Sequence, residues 1–316
     1  MFERRVLILW AILLCVCVAF LGWNLHGRIW FILELRAVKL SGLVLVGFAI
    51  GTSTVMFQTI SGNRILTPSI MGFDALFLLL QTSMVFAIGG LGYAHLPSVA
   101  RFIVETVIMM AAAMALFGWL LGRGRGRADV QLMILVGVIF GLLFRSLTSF
   151  LQRIIDPSEF AVVQGAMFAS FGAIGRTELM IAALVFACAA YFIWRLMPDF
   201  DVMALGRGAA ISLGLDYDRA QRIMLGVVAA LVSVSTALVG PITFLGLLVA
   251  SLSHIWAQTS RHAVLLPAAG LIAAIVLVAG QVAFERILHL QSTLAVVIEF
   301  FGGMLFLVLV AKGKVR

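Results

Sequence analysis

Charge is scarce in this sequence. Of 316 residues, 11% are Asp, Glu, Lys or Arg, 63% are hydrophobic, and the mean hydropathy is +1.16. A soluble domain carries roughly 45–50% apolar and about 25% charged residues. The soluble globular class is therefore excluded, and the chain reads as an all-α polytopic membrane protein. The loops are too short for a separate soluble domain, so residues 1–316 are expected to form one transmembrane domain. Cysteine is equally sparse. Cys15, Cys17 and Cys188 all lie inside apolar runs, which argues against a disulfide framework and a metal site. The motifs H-E-x-x-H, C-x-x-C and G-x-x-x-x-G-K-[ST] are missing, and no carboxylate pair has metal-ligand spacing within a span. No catalytic residue, metal or cofactor is expected in this chain. If ATP drives its work, a separate chain must hold the nucleotide.

What is present is a series of apolar runs. About 20 such residues are needed to cross the hydrocarbon core. Counting gives about ten spans: 6–23, 40–59, 70–90, 99–121, 130–151, 177–196, 223–239, 242–258, 263–284 and 294–311. Gly240-Pro241 breaks what would otherwise be one long run over 223–258. Arg4 and Arg5 precede the first span and no small-x-small cleavage site follows it, so it reads as a retained helix. With the N-terminus inside, 14 of the 22 Lys and Arg fall on the inner side and 7 on the outer, with Arg145 mid-span. Both termini are therefore expected in the cytoplasm. The same topology explains the net charge of +8, and the RGRGR run at 123–127, more simply than nucleic-acid binding does.

Two segments are not spans. Residues 197–222 form the longest polar loop, with Val202, Leu205, Ala209 and Leu213 at helical spacing and Gly214 as a stop. A second short helical turn could run from Asp216 to Arg222. Two such helices on the membrane face suit a docking surface for a soluble partner, and equally an amphipathic connector in the headgroup zone. Residues 152–173 open with Asp156-Pro157-Ser158-Glu159, a plausible helix start. A short outer-side helix there would either gate a pore or cap the bundle.

Within the spans, Asp74, Arg145 and Glu299 are expected to be buried, with Arg145 and Glu299 pairing or lining a path. Charge at the bilayer centre costs at least about 2.5–3.5 kcal/mol, so each needs a partner or water. Arg101 and Glu105, four residues apart, are expected to form a surface pair. Gly137 and Gly141 have the spacing that lets helix backbones approach closely. The five histidines (His26, His95, His254, His262 and His289) fall near span ends, where interfacial placement is the default.

The loop and the span after it carry a resemblance. ALGRGAAISLGLDYDRAQR followed by ALVGPITFLGLLV is similar to the permease family of ABC importers for iron-siderophores and vitamin B12. The family's A-L-G-x-x-x-A-x-x-L-G coupling motif falls on Ala204, Leu205, Gly206, Ala210, Leu213 and Gly214. Its G-P-I-x-F-x-G-L-x-V motif falls on Gly240, Pro241, Ile242, Phe244, Gly246, Leu247 and Val249. LRAVKLSGLVLVGFAIGTSTVMFQ and GNRILTPSIMGFD extend the likeness towards the N-terminus. Departures at Ala250, Ser251 and His254, at 291–295, at 167–170 and at Glu299 resemble a divergent ferric-siderophore subgroup.

The resemblance implies a multi-pass permease in the bacterial inner membrane, working by alternating access. Its implied partners are a second permease (identical or a sibling), two ATP-binding subunits that hold the ATP, and a periplasmic or lipid-anchored solute-binding protein, in contact with membrane lipid. Coupling to the ATPase is expected from Leu205, Gly206, Ala210, Leu213, Gly214, Leu215 and Arg219. Binding-protein docking is expected from Arg36, Lys39 and Arg286, and the path from Arg145, Ser146, Ser149, Phe168 and Glu299. The rivals are an importer of vitamin B12 or haem, a secondary transporter using Asp74, Arg145 and Glu299, and a lipid-modifying membrane enzyme.

Overall fold

A backbone in lipid must satisfy its own hydrogen bonds, which leaves the apolar runs little choice but helix. The computed structural model describes residues 2–23, 28–123, 130–287 and 294–311. Among them every regular element is helical: α1 (Phe2–Gly22), α2 (Ile29–Ser61), α3 (Phe73–His95), α4 (Ser98–Arg123), α5 (Val130–Ile154), α6 (Pro157–Ala166), α7 (Arg176–Arg195), α8 (Met197–Met203), α9 (Arg207–Ser212), α10 (Tyr217–Val239), α11 (Thr243–Ala257), α12 (His262–Val282) and α13 (Leu294–Ala311). A 3-10 turn, Ser69–Met71, leads into α3, and a π turn, Ala283–Ile287, ends α12. Most of the RGRGR run and the extreme termini lie outside the described residues.

Eight helices are long and apolar enough to cross a membrane among the described residues. The expected spans at 242–258 and 294–311 coincide with α11 and α13. At 15 residues, α11 is about 22 Å long, short of the roughly 30 Å core. The count of ten crossings is thus not established. The break before α11 lies at the expected place, with Gly240 at φ 96°. The second span was expected at 40–59, yet α2 has 33 residues and runs about 50 Å. Arg36 and Lys39 therefore ride on the helix itself.

The core is formed by α2, α10 and α12, whose faces are mostly buried. Glycine lets α2 and α12 pack backbone to backbone. A Cβ on Gly47 would meet Ala274 N at 2.7 Å, and one on Gly51 would meet Ala269 O at 2.5 Å. The expected close approach at Gly141 also forms, against Gly72 at the head of α3. By contrast α1, α5 and α7 present large apolar side chains outward, such as Leu14, Leu142 and Leu184. These are the surfaces a lipid bilayer or a partner helix covers.

The short helix expected after Asp156-Pro157 is α6, with Pro157 in its first turn. It packs on α3, which is sharply kinked at Gly89 (φ 75°, ψ 158°). The kink frees the backbone N–H of Gly90, and Glu159 of α6 accepts it at 3.0 Å.

Candidate functional site

The segment between α7 and α10 is built in two pieces. α8 buries Phe200 and Met203 against the bundle. The chain then turns at Gly206 (φ 92°, ψ 159°), and α9 follows for six residues. Gly214, at φ 88°, ends that helix as expected. The second short turn expected over 216–222 is instead the beginning of α10. Asp216 caps α10 by accepting the Arg219 backbone N–H at 3.2 Å. Arg207 grips Asp218 through two parallel hydrogen bonds of 2.7 and 3.1 Å, and lies 5.2 Å above the Tyr217 ring. That clamp fixes α9 to the head of α10.

This frame sets which expected coupling residues face outward. Leu205 and Leu213 are 63% and 65% exposed, Gly206, Gly214 and Arg219 are exposed, and Leu215 is half-buried. Ala210 is fully buried, so the geometry removes it from the outer contact surface. Ile211, which neither the spacing nor the family motif selected, is exposed beside it. The helical spacing from Val202 to Leu213 is carried by two helices divided at Gly206, and Leu205, Ala209 and Leu213 all remain exposed. Two apolar side chains of this size held out on a braced loop suit contact with another protein.

The sequence also gave no role to His262. It is buried at the head of α12 and contacts Asp201 of α8 and Thr59 of α2. Only the fold brings these residues together.

At the far end of α2 and α12 the expected docking cations do converge, though unequally. Arg36 is 9% exposed and donates to the carbonyls of Leu21 and Trp23 at 2.8 Å each. It seals the C-terminal end of α1 and is not the outer-face cation expected. Lys39 forms an ion pair with Glu285, beside which Arg286 sits. Lys39 and Arg286 remain partly exposed.

The path residues fall into two groups. Ser146, Ser149 and Arg145 are exposed on α5. Arg145 is thus not buried in this chain, and among the described residues it forms no ion pair with Glu299. Both lie instead within electrostatic reach of Asp74. Asp74 is buried and accepts from Thr243 at 2.7 Å, at the head of α11. Phe168 lies apart, on a cavity of about 280 Å³ between α3, α4, α6 and α10.

That cavity corrects a further expectation. Glu105 is 2% exposed, and its carboxylate accepts from Gln81 at 2.7 Å with Arg101 at 3.9 Å. The ion pair forms as expected, but only Arg101 reaches the surface: the kinked end of α3, which brings Tyr93 onto Gln81, leaves Glu105 buried. Among the described residues no group of three His, Cys, Asp or Glu could hold a metal ion.

Comparison with known proteins agrees with this architecture. Residues 6–312 match the model of the FecCD transport family. The petrobactin import system permease protein YclO of Bacillus subtilis (strain 168) is 43% identical over 298 residues, covering 94% of each chain. The petrobactin import system permease protein FatC of Bacillus anthracis is 34% identical over 283 residues, 90% of this chain and 79% of that one. A solved structure described as an inward-facing metal-chelate type ABC transporter superimposes with a TM-score of 0.86 over 99% of this chain, at 20% identity. At that identity the likeness speaks for the fold.

Proposed function

This chain belongs to the FecCD transport family, and we propose that it is the membrane permease subunit of an ATP-driven importer of a ferric siderophore. It is a transport subunit, and the chemistry of ATP belongs to other chains. The relatives named for petrobactin make ferric petrobactin the first solute to test. The assembly would hold a second permease (identical or a sibling), two ATP-binding subunits beneath and a solute-binding protein above. It would sit in the bacterial inner membrane with both termini in the cytoplasm.

The observation that carries this reading is the braced loop with Leu205 and Leu213 held outward. Closure of the ATPase dimer would push on that loop, and the loop would pass the displacement to the spans. Lys39 and Arg286 would meet acidic groups of the binding protein at the opposite face, where charge complementarity speeds encounter. The α5 face with Arg145, Ser146 and Ser149 would line the path against the second permease. An arginine turned to lipid is costly, which favours a wet or protein-covered position for that face.

The test is reconstitution in liposomes. Uptake of ferric petrobactin should require ATP, an ATPase chain and a binding protein. Uptake driven by an ion gradient with no ATPase present would overturn the proposal in favour of a secondary transporter.

A further inference from the structure

The loop is tied to the bundle by residues outside the expected coupling set. Asp201, on α8, accepts the backbone N–H of His262 at 2.8 Å, and its carboxylate also meets the ring Nδ1 at 2.7 Å. The Nδ1 therefore carries a proton towards the carboxylate. On the other side of the ring, Nε2 lies 2.7 Å from the Thr59 hydroxyl of α2. Phe200, also on α8, stacks on the imidazole with centroids 5.5 Å apart. One buried ring thus joins α8, α12 and α2. A carboxylate at the first N–H of a 21-residue helix is favoured by the helix dipole as well.

The two helices held by this joint are themselves fixed together. Gly47 and Gly51 of α2 lie against the α12 backbone, and Gly270 of α12 lies against the Phe48 ring. Surfaces packed this closely do not slide by small amounts, because any shift meets backbone atoms. At the far end the pair is closed again. Lys39 of α2 pairs with Glu285, which also accepts from Gln281 of α12 at 2.8 Å.

From this geometry we infer that Asp201, His262 and Thr59 fasten the coupling loop to a rigid α2–α12 rod, and that the rod carries displacement between the ATPase face and the binding-protein face. The inference rests on the coupling role proposed above for the loop. The three residues act through the helices they join. They are positioning residues that determine whether motion of α8 reaches the far end. Because coupling between two sites is reciprocal, the joint serves both directions. A loaded binding protein acts on the ATPase through the rod, and ATP binding acts on the outer face.

The experiment uses the permease with its ATPase and binding protein in liposomes. In Asp201→Ala and Thr59→Val, the ATPase should still co-purify and hydrolyse ATP at its basal rate. Stimulation by binding protein loaded with ferric petrobactin, and uptake, should each fall by about tenfold, within the range of typical coupling between sites. Asp201→Asn retains an acceptor for both bonds and should restore most of the stimulation, which a general loss of fold would not predict. In a chain with Cys15, Cys17 and Cys188 replaced by alanine, Asp201→Cys with His262→Cys should be uncoupled until joined by a short bis-methanethiosulfonate, which forms one disulfide with each cysteine and releases methanesulfinate. Full stimulation in both Asp201→Ala and Thr59→Val would overturn the inference, as would cross-linking that fails to restore coupling. Thr59→Val keeps the side-chain shape and answers the question where Asp201→Ala does not accumulate. Failure of the unmodified chain to bind an ATPase would instead sink the coupling role on which the inference rests.

Discussion

The hydroxyl of Tyr93 donates to the side-chain oxygen of Gln81, twelve residues earlier on the same helix. In a straight helix those residues stand about 18 Å apart along the axis. They meet because α3 bends back at Gly89, and the bend covers Gln81 and Glu105. Tyr93→Phe leaves the Gln81 oxygen without that donor, and a lost hydrogen bond of this kind costs about 1 kcal/mol. The midpoint of thermal inactivation in detergent should fall for Tyr93→Phe and for Gln81→Ala. Unchanged midpoints in both would show that the bend is held by other contacts.

Glu159 is the link between α6 and that bend. Glu159→Ala removes the acceptor of the buried Gly90 N–H, at a cost of about 1–3 kcal/mol. We expect uptake to drop in Glu159→Ala, with the ATPase still bound, and to be largely kept in Glu159→Gln. Equal uptake in the two variants would remove α6 from the working parts of the transporter.

Leu205 and Leu213 should behave differently from Ala210. Leu205→Asp and Leu213→Asp place charge on exposed positions, so the chain should insert normally yet lose co-purification with its ATPase. Ala210→Leu forces volume into a filled site, costing about 1–3 kcal/mol, and should lower accumulation of the chain. Retained ATPase binding in both Asp variants would count against the loop as the docking surface.

Packing of α2 on α12 predicts a contrast between two glycines. Gly51→Val would push side-chain atoms into the Ala269 carbonyl and should prevent stable accumulation. Gly208→Ala, on α9, meets nothing within 4 Å and should stabilise by roughly 0.5–1 kcal/mol through better helix propensity. Expression and thermal midpoints in detergent distinguish the two.

The α5 face can be probed by thiol accessibility. In a chain lacking its native cysteines, Ser146→Cys and Ser149→Cys should react with a membrane-impermeant thiol reagent. Leu184→Cys on α7, exposed but among apolar neighbours, should not. Lipid-like protection at both serine positions would exclude this face from the path. Arg145→Ala should then leave uptake intact, whereas a path-lining Arg145 predicts a marked loss.

The membrane class, most of the helices, the break at Gly240-Pro241 and the short helix after Asp156 were all legible in the linear chain. Each depends on local composition: an apolar run with no polar alternative in lipid, a proline, a glycine at a turn. The motif around Leu205 and Gly214 was legible for the same reason, since its elements lie within a few residues of one another. Gly206 marks the limit of that reading. Its turn divides the segment into α8 and α9, so Ile211 faces out while Ala210, which was expected from the family motif, faces in.

Which charge meets which was decided only in three dimensions. Arg36 closes the end of α1, Arg145 shares Asp74 with Glu299 without bonding to it, and Glu105 lies beneath a folded helix end. Asp201 and His262 are 61 residues apart, and His262 and Thr59 are 203 apart. No local propensity encodes such pairs. A hydrogen bond acts over about 3 Å, and only the packing of whole helices brings these groups within its reach.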